Sequence, residues 1–383
     1  MTFGHTAHCS PKPMKNPTSD LRVTVEDTGN PYQSSIASFL AREFHASTGT
    51  TDSILEAVTN EFVGSGQIRF GPVPSPESIV AIRSVISKCV EANLPIPILC
   101  PWGSRKPNNT GVDIAELSAL KTLSCLGKRI QAHYPPGICI RMRIEDIGGY
   151  YLFADEGPIV RHATKTYMEG LLRLIHVLDV KFVKPVPEST LMDEDVYNEV
   201  ADKAQQILLQ YISETDVRGL DSHQDLASWQ QLEQMGWKGS IPLEQRAYYR
   251  ERYERLYPGR ERSEYTKMLA IYLAGSHARY HLRGTGIDES WGKDSHLQIS
   301  FCPPVPGMPA SMSNRTIHYR TLPEKMARTH LAPWRARGYL RISGDQIAVK
   351  ISSWNEHLDL QPSTITLHRG DVSVEILAPT LSE

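Results

Sequence analysis

The chain has 383 residues, 40% hydrophobic and 22% charged, with 41 basic against 43 acidic side chains. That length buries a large core in one or two domains, and the near balance of charge argues against nucleic-acid binding as the main activity. No apolar run nears the ~18 residues of a membrane-crossing helix, and the polar start lacks a signal-peptide core, so the expectation is a cytoplasmic protein with no membrane association.

Residues up to about Pro31 are polar and rich in Pro, Ser and Thr, and read as an irregular arm. A first helix follows, with Ile36, Phe39, Leu40 and Phe44 at helical spacing. TTDSILEAVTNEFVGS is a second, with Thr51 or Asp52 as N-cap and Gly64 as stop. A third starts at Pro76, is expected to bury Ile79, Ile82, Val85 and Ile86, and is ended by Pro95. PIPILC is a short continuous apolar strand of the kind found inside parallel sheets. After a polar loop, 113–134 reads as a long amphipathic helix with a stripe of Ile114, Leu117, Leu120, Leu123 and Ile130. Asp113 stands at its start, where a carboxylate meets the helix dipole favourably. Tyr134-Pro-Pro-Gly137 is a sharp turn into the strand ICIRMRIEDI. Alternation along that strand puts Ile138, Ile140, Met142 and Ile144 on one face and Cys139, Arg141, Arg143 and Glu145 on the other, a solvated edge or the floor of a polar pocket.

ATKTYMEGLLRLIHVLDV reads as a further helix and KFVKPVP as a strand. A helical region spans about 193–214, and 221–268 is highly charged, suiting exposed helices of a lid or insert. KMLAIYLAGSHARYHLRGT reads as helix turning to strand, and HLQISF as a strand. The end is β: one hairpin turns at Gly344-Asp345, another at Arg369-Gly370-Asp371. The fold class is therefore α/β, a Rossmann-like, mainly parallel sheet core flanked by helices, with a C-terminal antiparallel β-rich part. The expected division is 1–50 arm and first helix, 51–270 core with the charged insert at about 193–268, and 271–383 β-rich part.

Cys89, Cys100, Cys125 and Cys139 sit in apolar settings and read as reduced core residues. No nucleotide-binding glycine loop stands between a strand and a helix, and no nucleophile elbow occurs. The His residues are scattered; His277 and His281 are four apart, but no acidic residue lies at ligand spacing, so no metal site is assigned. The loop Ser104-Arg105-Lys106-Pro107-Asn108-Asn109 leaves the carboxyl end of a strand, where open α/β sheets bind ligands. Arg105 can grip phosphate or carboxylate with two parallel bonds, and Lys106 can pair with phosphate or form a Schiff base. These are also ordinary surface-loop residues. Glu145 and Asp146 could hold an ammonium group or move a proton, or form a solvated strand end.

The order of signals from Phe70 to Asp155 resembles the isocyanide (isonitrile) synthase family, of the pyoverdine/dityrosine biosynthesis type. Gly71, Ser75 and Glu77, the run PIPILCPWGSRKPNN, Asp113-Ile-Ala-Glu116 with Ala119-Leu120, Tyr134-Pro-Pro-Gly137 and Leu152-Phe-Ala-Asp155 follow that family's pieces in order. Further on, His296–Ser300 and Ala332-Pro333-Trp334-Arg335 resemble its late strand and its "TPWH". Arg335 replaces that histidine, RYHLRGTG stands in place of "RLSIH", and Glu145-Asp-Ile-Gly-Gly149 in place of an "SDG" turn. The resemblance implies an enzyme of specialised-metabolite biosynthesis that condenses an amino acid's amine with ribulose 5-phosphate, without cofactor or metal. It implies Lys106, Glu145, Asp146 and Asp155 as catalytic candidates. Ser104, Arg105, Asn108, Asn109, Arg141, Arg143, Arg279, His281, Arg283 and Arg335 are the candidates for holding phosphate and carboxylate. Two other readings remain: another enzyme acting on an amine or phosphorylated small molecule, and a non-catalytic partner protein using segment 244–268. That segment also suits a solvated face or a homodimer surface.

Overall fold

A computed structural model describes residues 21–25, 53–64, 69, 74–103, 111–146, 157–191, 193, 195–196, 198–199, 296–301, 315–319, 321, 332–343, 346–353, 360–361, 364–377 and 380–381. The chain begins there with a strand, β1 (Arg22–Val25), inside the stretch expected to be irregular. Its partner is β10 (Thr364–Arg369), with Arg22 opposite His368. A lone four-residue strand has no local signal, because the edge that stabilises it comes from the far end of the sequence. The helix expected over Ile36–Phe44 lies outside the described residues.

Helix α1 (Ile54–Val63) is capped by neither Thr51 nor Asp52 but by Ser53, its hydroxyl accepting from Glu56 N at 3.1 Å. Helix α2 (Pro76–Ala92) starts at Pro76, as expected, with Ser75 as cap. Ile82, Val85 and Ile86 are buried, but Ile79, near the helix start, is only half-buried. Asn93 in the left-handed conformation closes α2, and the Tyr134 hydroxyl donates to Cys89 O and Leu94 O, 2.8 Å each.

Strand β2 (Ile96–Gly103) extends the expected PIPILC run through Pro-Trp-Gly. Helix α3 (Ile114–His133) follows, then β3 (Ile138–Glu145), α4 (Gly157–Leu178) and β4 (Val183–Pro187). Gly137 has φ +66°, the left-handed turn that a side chain disfavours, and it aims the chain into β3. Strands β5 (Leu297–Ser300) and β6 (Thr316–His318) complete a five-stranded parallel sheet of order β4-β3-β2-β5-β6. The last third of the chain thus supplies two strands to the core sheet.

It also builds two further sheets. Strands β7 (Ala336–Ser343) and β8 (Gln346–Ser353) form the expected hairpin, joined in a four-stranded mixed sheet by β9 (Leu360–Gln361) and β12 (Thr380–Leu381), in order β8-β7-β12-β9. The second hairpin, β10 with β11 (Val372–Leu377), pairs antiparallel and adds β1 as a third strand. These sheets explain one departure from expectation. Helix α3 is not amphipathic: it touches α1, α4 and β3 and is covered by β7, so nearly its whole circumference is buried. The side chains of both layers form one continuous apolar core. Among the described residues no helix is long and apolar enough to cross a membrane. Cys100 and Cys125 are buried, Cys89 and Cys139 half-buried, and all four are free thiols.

Candidate functional site at the carboxyl end of the sheet

From β2 the chain steps outward through β3 to β4, then returns to the other side of β2 for β5 and β6. The strand order therefore reverses between β2 and β5, which is where open α/β sheets place their ligands. The loop Ser104-Arg105-Lys106-Pro107-Asn108-Asn109 leaves β2 at this point in the sequence. Its residues, with Asp155, Arg279, His281, Arg283 and the pair His277/His281, lie outside the described residues, as does the segment 221–268.

The described site residues come from β3. The register sets Glu145 opposite Gly103, so the last residues of β2 and β3 lie side by side, one strand from the switch point that β2 borders. Arg143 is 2% exposed and Glu188 fully buried, and Arg143 Nε stands 3.2 Å from Glu188 Oε1. Glu188 opens a one-turn 3-10 helix, Glu188–Thr190, directly after β4. Ser189 N donates to Asp146 Oδ1 at 2.9 Å, and the Ser189 hydroxyl donates to Asp146 Oδ2. Asp146 thus serves as an anchor for this turn. Glu145 is half-buried and stands between these two anchored residues at the strand end. Arg141, two residues before Arg143 and further into the sheet, is half-buried.

The floor beside this rim is aromatic. The Trp102 ring meets Phe301 edge-on at 5.6 Å between centroids, and Trp334 at 5.2 Å. Trp334 lies in a second 3-10 turn, Pro333–Arg335, and presses on Gly103: a Cβ there would sit 2.3 Å from Trp334 Cδ1. The Ala332-Pro-Trp-Arg335 motif is thereby brought beside the end of β2, though the Arg335 side chain lies outside the described set.

Under the floor runs a buried polar chain. Trp102 Nε1 donates to Tyr167 Oη at 3.0 Å, and the Tyr167 hydroxyl donates to Glu116 Oε1 at 3.0 Å. Glu116 Oε2 accepts from Asp113 N at 2.8 Å, closing a capping box at the start of α3. Asp113 Oδ1 accepts from Ala115 N at 2.6 Å, and Oδ2 from Gly338 N of β7 at 3.2 Å. Burial first, then the Glu116 carboxylate, push the Tyr167 hydroxyl well above the ordinary tyrosine range. The amides at the start of α3, where a Rossmann fold receives a pyrophosphate, are thus engaged by the chain's own carboxylates.

Several residues that carry the family resemblance prove to be fold-forming: Ser75 caps α2, Asp113 and Glu116 box α3, and Tyr134 closes the end of α2. Sequence reasoning missed Glu188, Ser189 and Tyr167. Only an acidic residue after the KFVKPVP strand could have hinted at the first. A second buried cluster, Arg129 Nε donating to Glu61 Oε2 at 2.7 Å with His133 Nε2 3.5 Å from Glu61 Oε1, joins α1 to α3. Among the described residues no three His, Cys, Asp or Glu side chains gather as a metal site.

No protein-family model and no curated protein matches the chain. Among solved structures, the chain is similar to the crystal structure of the PvcA protein from Pseudomonas aeruginosa, with a TM-score of 0.52 at 17% identity, covering 86% of this chain and 100% of that one. At that identity the likeness is one of fold, and it spans all of PvcA and most of the chain.

Proposed function

We propose that this chain is an isocyanide synthase-like enzyme that condenses the amine of an amino acid with ribulose 5-phosphate. The observation that carries the reading is the agreement of two independent likenesses. The motif order resembles the isocyanide synthase family, and the fold is similar to that of PvcA along most of the chain. The cationic loop 104–109 follows the strand beside the switch point, which suits a sugar phosphate. The capped start of α3 leaves that phosphate to Arg105 and Lys106 rather than to helix amides.

The first step is an amine adding to a ketone carbon. The carbinolamine then loses water to give an imine, which requires a proton delivered to the departing hydroxyl. Glu145 at the end of β3 is the carboxylate assigned to that transfer, with Asp155 as a second proton-transfer group. Arg141 supplies positive charge for the amino acid carboxylate. Arg279, His281, Arg283 and Arg335 are assigned to substrate holding on the motif resemblance alone.

The test is purified protein with ribulose 5-phosphate and a panel of amino acids, read by thermal shift and mass spectrometry. The expected product is heavier than its amino acid by one carbon and lighter by two hydrogens, and Lys106→Ala abolishes its formation. Stabilisation by the sugar phosphate without product would mean a different reaction at a retained phosphate site. No stabilisation and no product would leave a shared fold without this chemistry.

A further inference from the structure

Two tethers bracket Glu145. On one side Arg143 is paired with Glu188 at 3.2 Å, both essentially out of water. On the other, Asp146 accepts from the amide and the hydroxyl of Ser189, the amide at 2.9 Å. Both partners belong to the same 3-10 turn after β4, and β4 itself pairs in register with β3 from Ile140 to Ile144. The β3–β4 ladder stops at Ile144, and the side-chain ties of Arg143 within it and of Asp146 beyond it hold the strand end to the turn that follows β4.

The cost of this arrangement argues for a purpose. Burying a guanidinium and a carboxylate contributes little net stability over an apolar pair of the same size. What it does supply is a fixed geometry, since a buried pair broken on one side is strongly unfavourable. We infer that Glu188 and Ser189 are positioning residues, which hold the end of β3 so that Glu145 is fixed beside Gly103 at the carboxyl end of the sheet. The inference rests on the proposed reaction for what Glu145 does there, and on the geometry alone for the clamp. Neither residue touches substrate; both act through Glu145.

The test uses the full chain with Ser189→Ala, Ser189→Thr, Glu188→Gln and Glu145→Gln variants. Hydrogen exchange of the backbone amides of 143–146 is read by mass spectrometry, together with kcat and KM for ribulose 5-phosphate. Ser189→Ala is expected to speed exchange at 143–146 and to lower kcat roughly ten- to a hundredfold, the loss expected from misplacing a reacting group by about 1 Å. KM should stay within about threefold, because the phosphate is held elsewhere. Ser189→Thr, which keeps the hydroxyl, should restore both. Glu145→Gln should lose at least as much kcat as either clamp variant, and Ser189→Ala on that background should cost little more.

Unchanged exchange in Ser189→Ala and Glu188→Gln overturns the clamp whatever the chemistry. Faster exchange with wild-type kcat overturns its positioning role. A wild-type chain that forms no isonitrile from any amine sinks the proposed reaction, and exchange alone then decides whether the turn pins the strand end. Glu188→Gln guards against a folding artefact, because it tests the other tether with a side chain of equal size.

Discussion

The hydroxyl of Tyr167 does two jobs in a place without water: it receives the Trp102 indole N–H and donates to Glu116. Tyr167→Phe would leave a buried donor and a buried carboxylate oxygen each short of a partner. Such losses cost about 1–3 kcal/mol, and a urea midpoint with unchanged slope measures them. The same residue sets an alkaline limit. Burial holds the Tyr167 proton well above the usual range, and burial does likewise at Tyr319. In the unfolded chain both ionise near pH 10. Their contribution is therefore intact below about pH 10 and falls away as pH rises beyond it, by at most about 1.4 kcal/mol per pH unit for each group. Urea midpoints from about pH 8 to pH 11 should fall, and fall less steeply in Tyr167→Phe. A parallel decline in both proteins would assign the loss to other groups. Gly103 makes a complementary residue-scale case. The Trp334 ring lies where its Cβ would be, so Gly103→Ala must displace an indole packed on Trp102. Overpacking of that kind costs about 1–3 kcal/mol, and the change in tryptophan emission would report the moved ring.

At the scale of elements, the start of α3 is where the two layers meet. Asp113 caps the helix through Ala115 N and ties β7 through Gly338 N, while Glu116 returns to the Asp113 amide. Asp113→Ala removes the cap and the tie together and should cost about 2 kcal/mol, the upper part of the range for N-caps. Asp113→Asn keeps one acceptor oxygen and should lose less. Equal melting temperatures for wild type and Asp113→Ala would show that water replaces both bonds, against the burial of this residue. The element scale also shows what could be read in advance. The PIPILC run, the turn at Gly137 and both C-terminal hairpins carry local signals: apolar continuity, a residue that tolerates positive φ, and paired alternation across a tight turn. The all-round burial of α3 carries none. Its exposed-looking positions, Glu116, Ser118, Lys121 and Thr122, are buried, and the elements packed on the helix include α1 before it and β7 far along the chain. The site divides the same way. Arg143, Glu145 and Asp146 are visible as a charged strand end, but Glu188 and Ser189, the partners of Arg143 and Asp146, are more than forty residues on. Sequence spacing holds no record of which charge meets which.

For the whole molecule, the question is whether the parallel sheet and the C-terminal sheets unfold together. Among the described residues, polar ties cross between them besides apolar packing: Gly338 N to Asp113 Oδ2, Leu377 N to Val112 O at 3.4 Å, Arg369 Nη1 to Asp179 Oδ2 at 3.8 Å, and Arg369 Nε to Val177 O at 2.6 Å. The last places a guanidinium over the final carbonyls of α4, where a cation is favourable. Helix α4 also lays its apolar face on β10 and β11, so Ile365, Leu367, Val374 and Ile376 share a core with Leu171, Leu174 and Val177. Neither surface can be uncovered without exposing the other to water, at roughly 25 cal/mol for each Å² of apolar area. Unfolding should therefore be one transition, with far-ultraviolet dichroism and tryptophan emission falling on the same urea curve. Two Trp residues of the floor, Trp102 and Trp334, come from opposite sides of the junction and make emission a direct probe of it. Emission that changes before the dichroism would mean the sheets part first and the core survives alone. Deleting residues 364–383 should then be tolerated. If the layers are one unit, that deletion instead leaves the α4 face bare, lowers the melting temperature sharply and raises binding of an apolar dye at temperatures where the full chain binds none.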